Sequence, residues 1–178
     1  MGKGTVVRGL LEASPDLVFS VSYTTREPRP GETEGIQYRF VTEDEFDALV
    51  RRDAFLEWAE VFGERYGTPA EEVARERDIG RDVLLEVDVQ GAASVRSAAP
   101  DAVLVFLEPP SEEELARRLS ARGTESGPAM ESRLEEAKAE LAEASWFDHV
   151  VLNDRVEQAV EEVLAIIDAS PHSEGDLS

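Results

Sequence analysis

The chain has 178 residues, 42% of them hydrophobic, and carries 39 Asp and Glu against 18 Lys and Arg, for a formal net charge of −21. That length supports one compact unit with a core of its own, and that charge excludes broad binding to nucleic acid or anionic membranes, which needs basic faces. Cysteine is absent, which excludes disulfides and thiolate metal sites; no apolar run reaches the roughly eighteen residues of a membrane helix, and no signal peptide is read at Met1, so a cytoplasmic protein is expected.

His149 and His172 are too far apart in sequence to form a ligand cluster. Lys3 and Lys138 are the only lysines, against sixteen arginines, a bias expected of a GC-rich genome, a salt-rich cytoplasm, or both. A helix is predicted over residues 5–12 and is stopped by Pro15; a short apolar strand follows over 17–21. Residues 20–32 then gather hydroxyls, Arg26 and Arg29, two prolines and Gly31 into a segment that cannot be helical. Guanidinium forks and hydroxyls of this kind suit phosphate oxygens. Alternation predicts a strand over 37–41, and Thr42 with Glu45 forms a capping box for a helix to about Arg52. Residues 55–62 read as a strand, Tyr66–Pro69 as a turn shaped by Gly67 and Pro69, and a helix runs from Pro69 to about Asp78.

The run 82–89 is nearly all apolar apart from its acidic residues and is expected to be a strand buried on both faces of a parallel sheet. A helix over 90–99 and a strand over 102–107 come next. Ser111 with Glu114 is a second capping box, for a helix to about Ala121. After a glycine-bearing loop at 123–128 a charged helix is predicted over 129–144, then a strand over 149–152 and a helix over 156–168. The alternation implies an α/β fold with a parallel sheet covered by helices on both faces.

Several blocks resemble the guanylate kinase family: the arginine loop, Tyr38, Leu56-Glu57-Trp58-Ala59-Glu60, Tyr66-Gly67-Thr68-Pro69, Asp88-Val89-Gln90-Gly91, Arg122-Gly123-Thr124 and Asn153-Asp154, in series from Met1 to about Ala169. The resemblance implies a P-loop kinase core at 1–21, 81–110 and 146–169, a small mixed α/β GMP-binding insertion at 22–80, a helical lid at 111–145, and a disordered tail at 170–178. It implies ATP and GMP (or dGMP) as substrates and direct phosphoryl transfer without a phosphoenzyme.

The resemblance also assigns site residues. Glu57 would accept both N1–H and N2–H₂ of guanine, assisted by Ser22, Thr68 and Asp88. Arg26, Arg29, Tyr38 and Tyr66 would hold the acceptor phosphate. Gly2, Lys3, Gly4 and Thr5 resemble the tail of a phosphate-binding loop, with Lys3 on the transferred group. Arg118, Arg122 and Arg133 match lid arginines, and Asn153-Asp154 the contact to the donor adenine. Mg²⁺ would be carried mainly by nucleotide oxygens and water, without a direct protein ligand, and Asp88 could reach it through water. The strand and first glycine that complete a phosphate-binding loop do not precede Gly2. A late start or a fragment is expected rather than a genuine loss of ATP binding, with weakened activity and stability. The rivals are a catalytically inactive guanylate-kinase-like module that binds phosphorylated peptide or GMP only, and a kinase for another nucleoside monophosphate.

Overall fold

The computed structural model describes residues 3–61, 63–121, 135 and 137–170. By packing, the chain divides into two compact units, residues 3–14 with 103–170 and residues 15–102.

The first unit contains α1 (Lys3–Ala13), which places Val6 and Leu10, one turn apart, on its buried side. It packs on a later helix, Val156–Ala169, through the buried Ala159, Val160 and Val163 of that helix. Gly9 permits the approach, since a Cβ there would lie 2.7 Å from Val160 Cγ2. Two parallel strands, Val105–Glu108 and His149–Leu152, pair in register from Val105 opposite His149 to Glu108 opposite Leu152. Asp148 anchors the pair: its carboxylate accepts from the Leu104 amide at 2.7 Å, and its own amide donates to the Leu104 carbonyl. A helix over Glu112–Ala121 starts at Ser111, whose hydroxyl accepts from the Glu114 amide at 3.2 Å.

The second unit contains a short parallel pair, β1 (Val18–Phe19) with the strand Val83–Leu84. Beside this pair in sequence lies a four-stranded sheet. In chain order its strands are β2 (Tyr23–Thr24), β3 (Arg39–Phe40), β4 (Phe55–Val61) and β5 (Glu64–Pro69), and in space β3-β2-β5-β4. β4 and β5 form an antiparallel hairpin that turns at Gly63, where φ is +78° and glycine meets no Cβ clash. Its register sets Glu57 opposite Thr68 and Trp58 opposite Gly67.

The helix α2 (Glu43–Val50) opens on the predicted Thr42–Glu45 capping box. It delivers Phe46, fully buried, against Phe55 at 4.7 Å and Trp58 at 6.1 Å. The Arg65 guanidinium covers the Phe46 ring at 4.7 Å and bonds Asp47 and Glu43. α3 (Ala70–Asp78) follows β5 directly, and α4 (Val89–Ala98) packs on β4.

Three expectations need correction. Tyr66–Pro69 is part of a strand, not a turn. Gly67 is needed there because a Cβ would sit 2.8 Å from the Phe55 ring, and Pro69 closes the strand as the residue before α3. The arginine segment is not wholly loop, since Tyr23–Thr24 pairs with both β3 and β5. The run 82–89 is not a long doubly buried strand. Among the described residues it pairs over Val83–Leu84 alone, its residues from Val83 to Asp88 are half-buried, and Asp88 caps α4 instead of extending the strand. The predicted helix at 129–144 lies partly outside the described residues; residues 137–142 are helical and pass into a 3₁₀ turn at Glu143–Trp146. Of the expected tail at 170–178 only Ser170 is among the described residues, where its hydroxyl donates to the Ile166 carbonyl at 2.7 Å.

Gly67→Ala forces Phe55 from its position against Phe46. We expect a loss of about 1–3 kcal/mol, the usual cost of overpacking, read as a lowered midpoint in urea with an unchanged slope.

Candidate functional site

The sheet of the second unit places a carboxylate where carboxylates are rarely found. Glu57 is 8% exposed and Thr68, across the hairpin, is 1% exposed. The Thr68 hydroxyl donates to Glu57 Oε1 at 2.5 Å. Oε2 faces Gly91 in the first turn of α4, where a Cβ would lie 2.8 Å from it and 3.1 Å from Asp88 Oδ1. Asp88 is the N-cap of α4 and accepts from the Gly91 amide at 2.7 Å. A bulge between Phe55 and Glu57, the hairpin register and the helix cap thus bring Glu57, Thr68 and Asp88 together. Burial raises the pKa of Glu57; the Thr68 hydroxyl opposes that shift, and the nearby Asp88 charge adds to it. Gly91 was not among the assigned site residues. The signal for it was available, as a glycine three positions after an acidic helix cap.

Around the arginine segment stands a second cluster. Arg26 lies over the Tyr38 ring at 5.2 Å and the Phe40 ring at 5.8 Å, and Tyr38 packs edge-on to Tyr66 at 5.8 Å. Its Nη1 and Nη2 bond both oxygens of Glu32, at 2.9 and 3.0 Å, and Nη1 also donates to the Glu27 carbonyl at 2.7 Å. Burial works against the Arg26 charge, but interactions with Glu32 and Tyr66 outweigh it and raise the pKa. Tyr38 is pushed up to about 12 by burial and by the Glu86 charge, so it is a neutral hydroxyl at physiological pH. Arg29 is exposed and its amide donates to Glu32 Oε2 at 2.8 Å. Ser22 is buried just before β2, and its carbonyl accepts from the Arg39 amide at 2.9 Å. Arg26, Tyr38 and Tyr66 are therefore gathered, while Arg29 stands on the rim. Glu32 and Phe40 complete the cluster and were not assigned from sequence.

The first unit holds the remaining assigned residues. Lys3, Gly4 and Thr5 lie in the first described turn of α1, which has no acidic residue; the positive end of a helix dipole favours an anion. A Cβ at Gly4 would meet nothing within 4 Å. Asn153 is 3% exposed, and its amide extends the strand pairing to the Glu108 carbonyl at 2.7 Å; Asp154 beside it is exposed. Arg118 is partly buried and bonds Glu114 at 2.6 Å, one helical turn away, while Arg117 grips the same carboxylate. These two arginines lower the Glu114 pKa to about 2. Gly2, Arg122 and Arg133 lie outside the described residues. Among the described residues no group of three or more His, Asp or Glu could hold a metal ion, and no helix is long and apolar enough to cross a membrane.

Comparison with known proteins supplies a family context. Residues 1–170 match the family described as guanylate kinase. The guanylate kinase of Nocardia farcinica is 53% identical over 168 residues, 93% of this chain and 87% of its own length. That of a Thermus thermophilus strain is 51% identical over 177 residues, 99% of this chain and 80% of its own. The crystal structure of guanylate kinase from Anaplasma phagocytophilum superposes with a TM-score of 0.81 at 36% identity, over 93% of this chain and 80% of that one. The α/β fold expected from the element order, and the P-loop kinase architecture that the resemblance implied, accord with that likeness.

The buried carboxylate has a cost that can be measured. The folded-state pKa of Glu57 exceeds its unfolded value, so its contribution to stability is full at low pH and is lost as pH rises through the raised folded pKa. Glu57→Gln keeps an acceptor for Thr68 and removes the buried charge. In thermal melts without ligand, the variant should gain on the parent as pH rises from the ordinary glutamate range and keep that advantage at neutral pH. A variant less stable than the parent at neutral pH contradicts this.

Proposed function

We propose that this chain, which belongs to the guanylate kinase family, transfers the γ-phosphoryl group of ATP to GMP or dGMP in the cytoplasm, giving ADP and the corresponding diphosphate. The observation that carries the reading is the buried Glu57 carboxylate, held by Thr68 and hemmed by Gly91. An ionised carboxylate accepts two hydrogen bonds side by side, and the N1–H and N2–H₂ of guanine supply such a pair. Adenine offers a donor beside an acceptor on that edge, so one of its atoms would face a carboxylate oxygen with no hydrogen between them. The elevated pKa of Glu57 is part of this design, because an acid that is costly to ionise in the empty site gains most from two donors.

In this reading Arg26, Arg29, Tyr38 and Tyr66 receive the phosphate of GMP, Ser22 assists Glu57 at the guanine, and residues 22–80 serve as the acceptor segment. The amides of Lys3, Gly4 and Thr5 and the Lys3 ammonium, with Gly2, receive the donor phosphates. Asn153 and Asp154 lie beside the donor adenine. Transfer joins an oxygen of the GMP phosphate to the γ-phosphorus as the bond to the β,γ-bridging oxygen breaks, and the electron pair leaves on ADP. The protein supplies alignment and charge rather than a nucleophile. Arg118, Arg122 and Arg133, in segment 111–145, neutralise the moving phosphoryl oxygens, an effect worth about 10³–10⁵ in rate in related phosphoryl transfers. Arg118 must exchange Glu114 for that role. Mg²⁺ bound to ATP would polarise the phosphate oxygens; the donor this site offers is an oxygen of Asp88, which suits a metal-bound water.

The test is ADP release with ATP and a panel of GMP, AMP, CMP and UMP, on the parent and on Glu57→Gln. GMP should be the preferred acceptor, and the variant should lose about 10- to 100-fold in kcat/KM for GMP, the worth of a charge-assisted hydrogen bond. GMP binding without ADP release would instead mark an inactive binding module. Equal turnover of GMP and AMP would mark a kinase of another specificity.

A further inference from the structure

Glu32 lies inside the phosphate-binding segment, yet its charge has the sign of the ligand. Two facts decide how it acts. First, it is held from two sides. Both oxygens bond the end of the Arg26 guanidinium, and Oε2 also accepts from the Arg29 amide, while the Glu32 amide donates to the Arg29 carbonyl at 3.0 Å. Second, Arg26 is not exhausted by this grip. A guanidinium has five N–H donors in three edges of fixed direction. Glu32 takes the edge between Nη1 and Nη2, and the Glu27 carbonyl takes the other hydrogen of Nη1. What is left is Nε–H, with the outer hydrogen of Nη2 parallel to it and spaced for two oxygens of one phosphate; the Tyr66 hydroxyl, itself assigned to the acceptor phosphate, also interacts with this guanidinium, so phosphate joins or replaces it there. Nε is buried and has no partner among the described residues, in a side chain only 10% exposed. A buried donor without an acceptor is costly and rare, and it points to a ligand atom.

We propose that Glu32 is a positioning residue for the acceptor phosphate: by gripping the far end of the Arg26 guanidinium it reserves the Nε–Nη2 edge for two phosphate oxygens. The assignment rests on the reading of Arg26 as part of the GMP site. The Tyr38 and Phe40 rings lie against the face of the guanidinium, and Glu32 with the Glu27 carbonyl fixes its rotation in that plane. The Arg29 amide ties the carboxylate to the backbone, which separates this arrangement from a carboxylate that merely fills the phosphate's place and must leave when phosphate arrives.

The test is equilibrium binding of GMP and of guanosine to the full chain by calorimetry, with kcat and KM for GMP, for the parent, Glu32→Gln and Glu32→Asp. The glutamine retains an oxygen for the Arg29 amide but sets an NH₂ against the guanidinium. GMP affinity should fall about 10-fold in Glu32→Gln, matched by a rise in KM, with guanosine affinity within about twofold and kcat at saturating GMP within about threefold of the parent. Glu32→Asp, which keeps the charge at shorter reach, should fall between the two. Tighter GMP binding in Glu32→Gln would show a competing carboxylate and overturn the proposal, as would unchanged GMP binding or equal losses for GMP and guanosine in both variants. Failure of the underlying reading looks different: the parent itself would bind guanosine as tightly as GMP.

Discussion

A carboxylate enclosed between a β-hairpin and the first turn of a helix is the constraint around which the second unit is built. Glu57 is shielded from water, so every neighbour has to contribute a hydrogen-bond donor or make room. Thr68 provides the donor, and provides it only because the hairpin register sets it directly opposite. Gly91 makes the room, and Asp88 fixes Gly91 by capping the helix on which it sits. Phe46 and Phe55 hold the hairpin from the other side, and Gly67 allows that packing. Loss of the Thr68 hydroxyl would push the Glu57 pKa further up, whereas loss of the Asp88 charge would relieve part of the rise. The arrangement costs stability in the empty protein, as is usual at sites that recognise by polar contact.

The overall charge of −21 stands at odds with two polyanionic substrates. The structure resolves this locally. Arg26 is paired with Glu32, Arg39 with Glu72, Arg65 with Asp47 and Glu43, and Arg118 with Glu114. Such pairs have little field at a distance, and exposed charges are screened within about 8–10 Å at ordinary ionic strength. Attraction therefore depends on aimed donors at short range more than on steering. Arg39 illustrates the structural use of the same device. It locks Glu72 of α3 with both ends of its fork, at 2.5 and 2.8 Å, and lies over the Tyr23 ring at 5.1 Å, so that β3, α3 and β2 are tied together.

Elements with strong local signals were legible in the sequence. The Thr42–Glu45 box, the strand His149–Leu152 and the helices after Pro69 and Ser111 stand within a residue or two of their expected limits. β5 was hidden because Gly67 and Pro69 carry turn chemistry, and only the Phe55 ring across the hairpin explains why a glycine belongs in that strand. β2 was hidden because two residues give no periodicity. The run 82–89 misled through its composition: strand pairing is a property of neighbours, and among the described residues Val83–Leu84 pairs with β1 alone. In the candidate site, Glu57, Thr68 and Asp88, and Arg26, Tyr38 and Tyr66, which the structure brings together as two clusters, were assigned through residue types in a familiar series. Glu32 and Gly91 were not, because one opposes the charge of the ligand and the other acts by lacking a side chain.

The measurement that bears most directly on this account is the relative affinity for GMP and IMP, which differ only in the 2-amino group, on the parent and on Glu57→Gln. If the buried carboxylate reads two adjacent donors, the parent should hold GMP about 10-fold or more tighter than IMP, as expected for one charge-assisted hydrogen bond, and the variant should lose most of that difference. If the parent binds the two equally, or the variant keeps the full preference, recognition of guanine by Glu57 is contradicted.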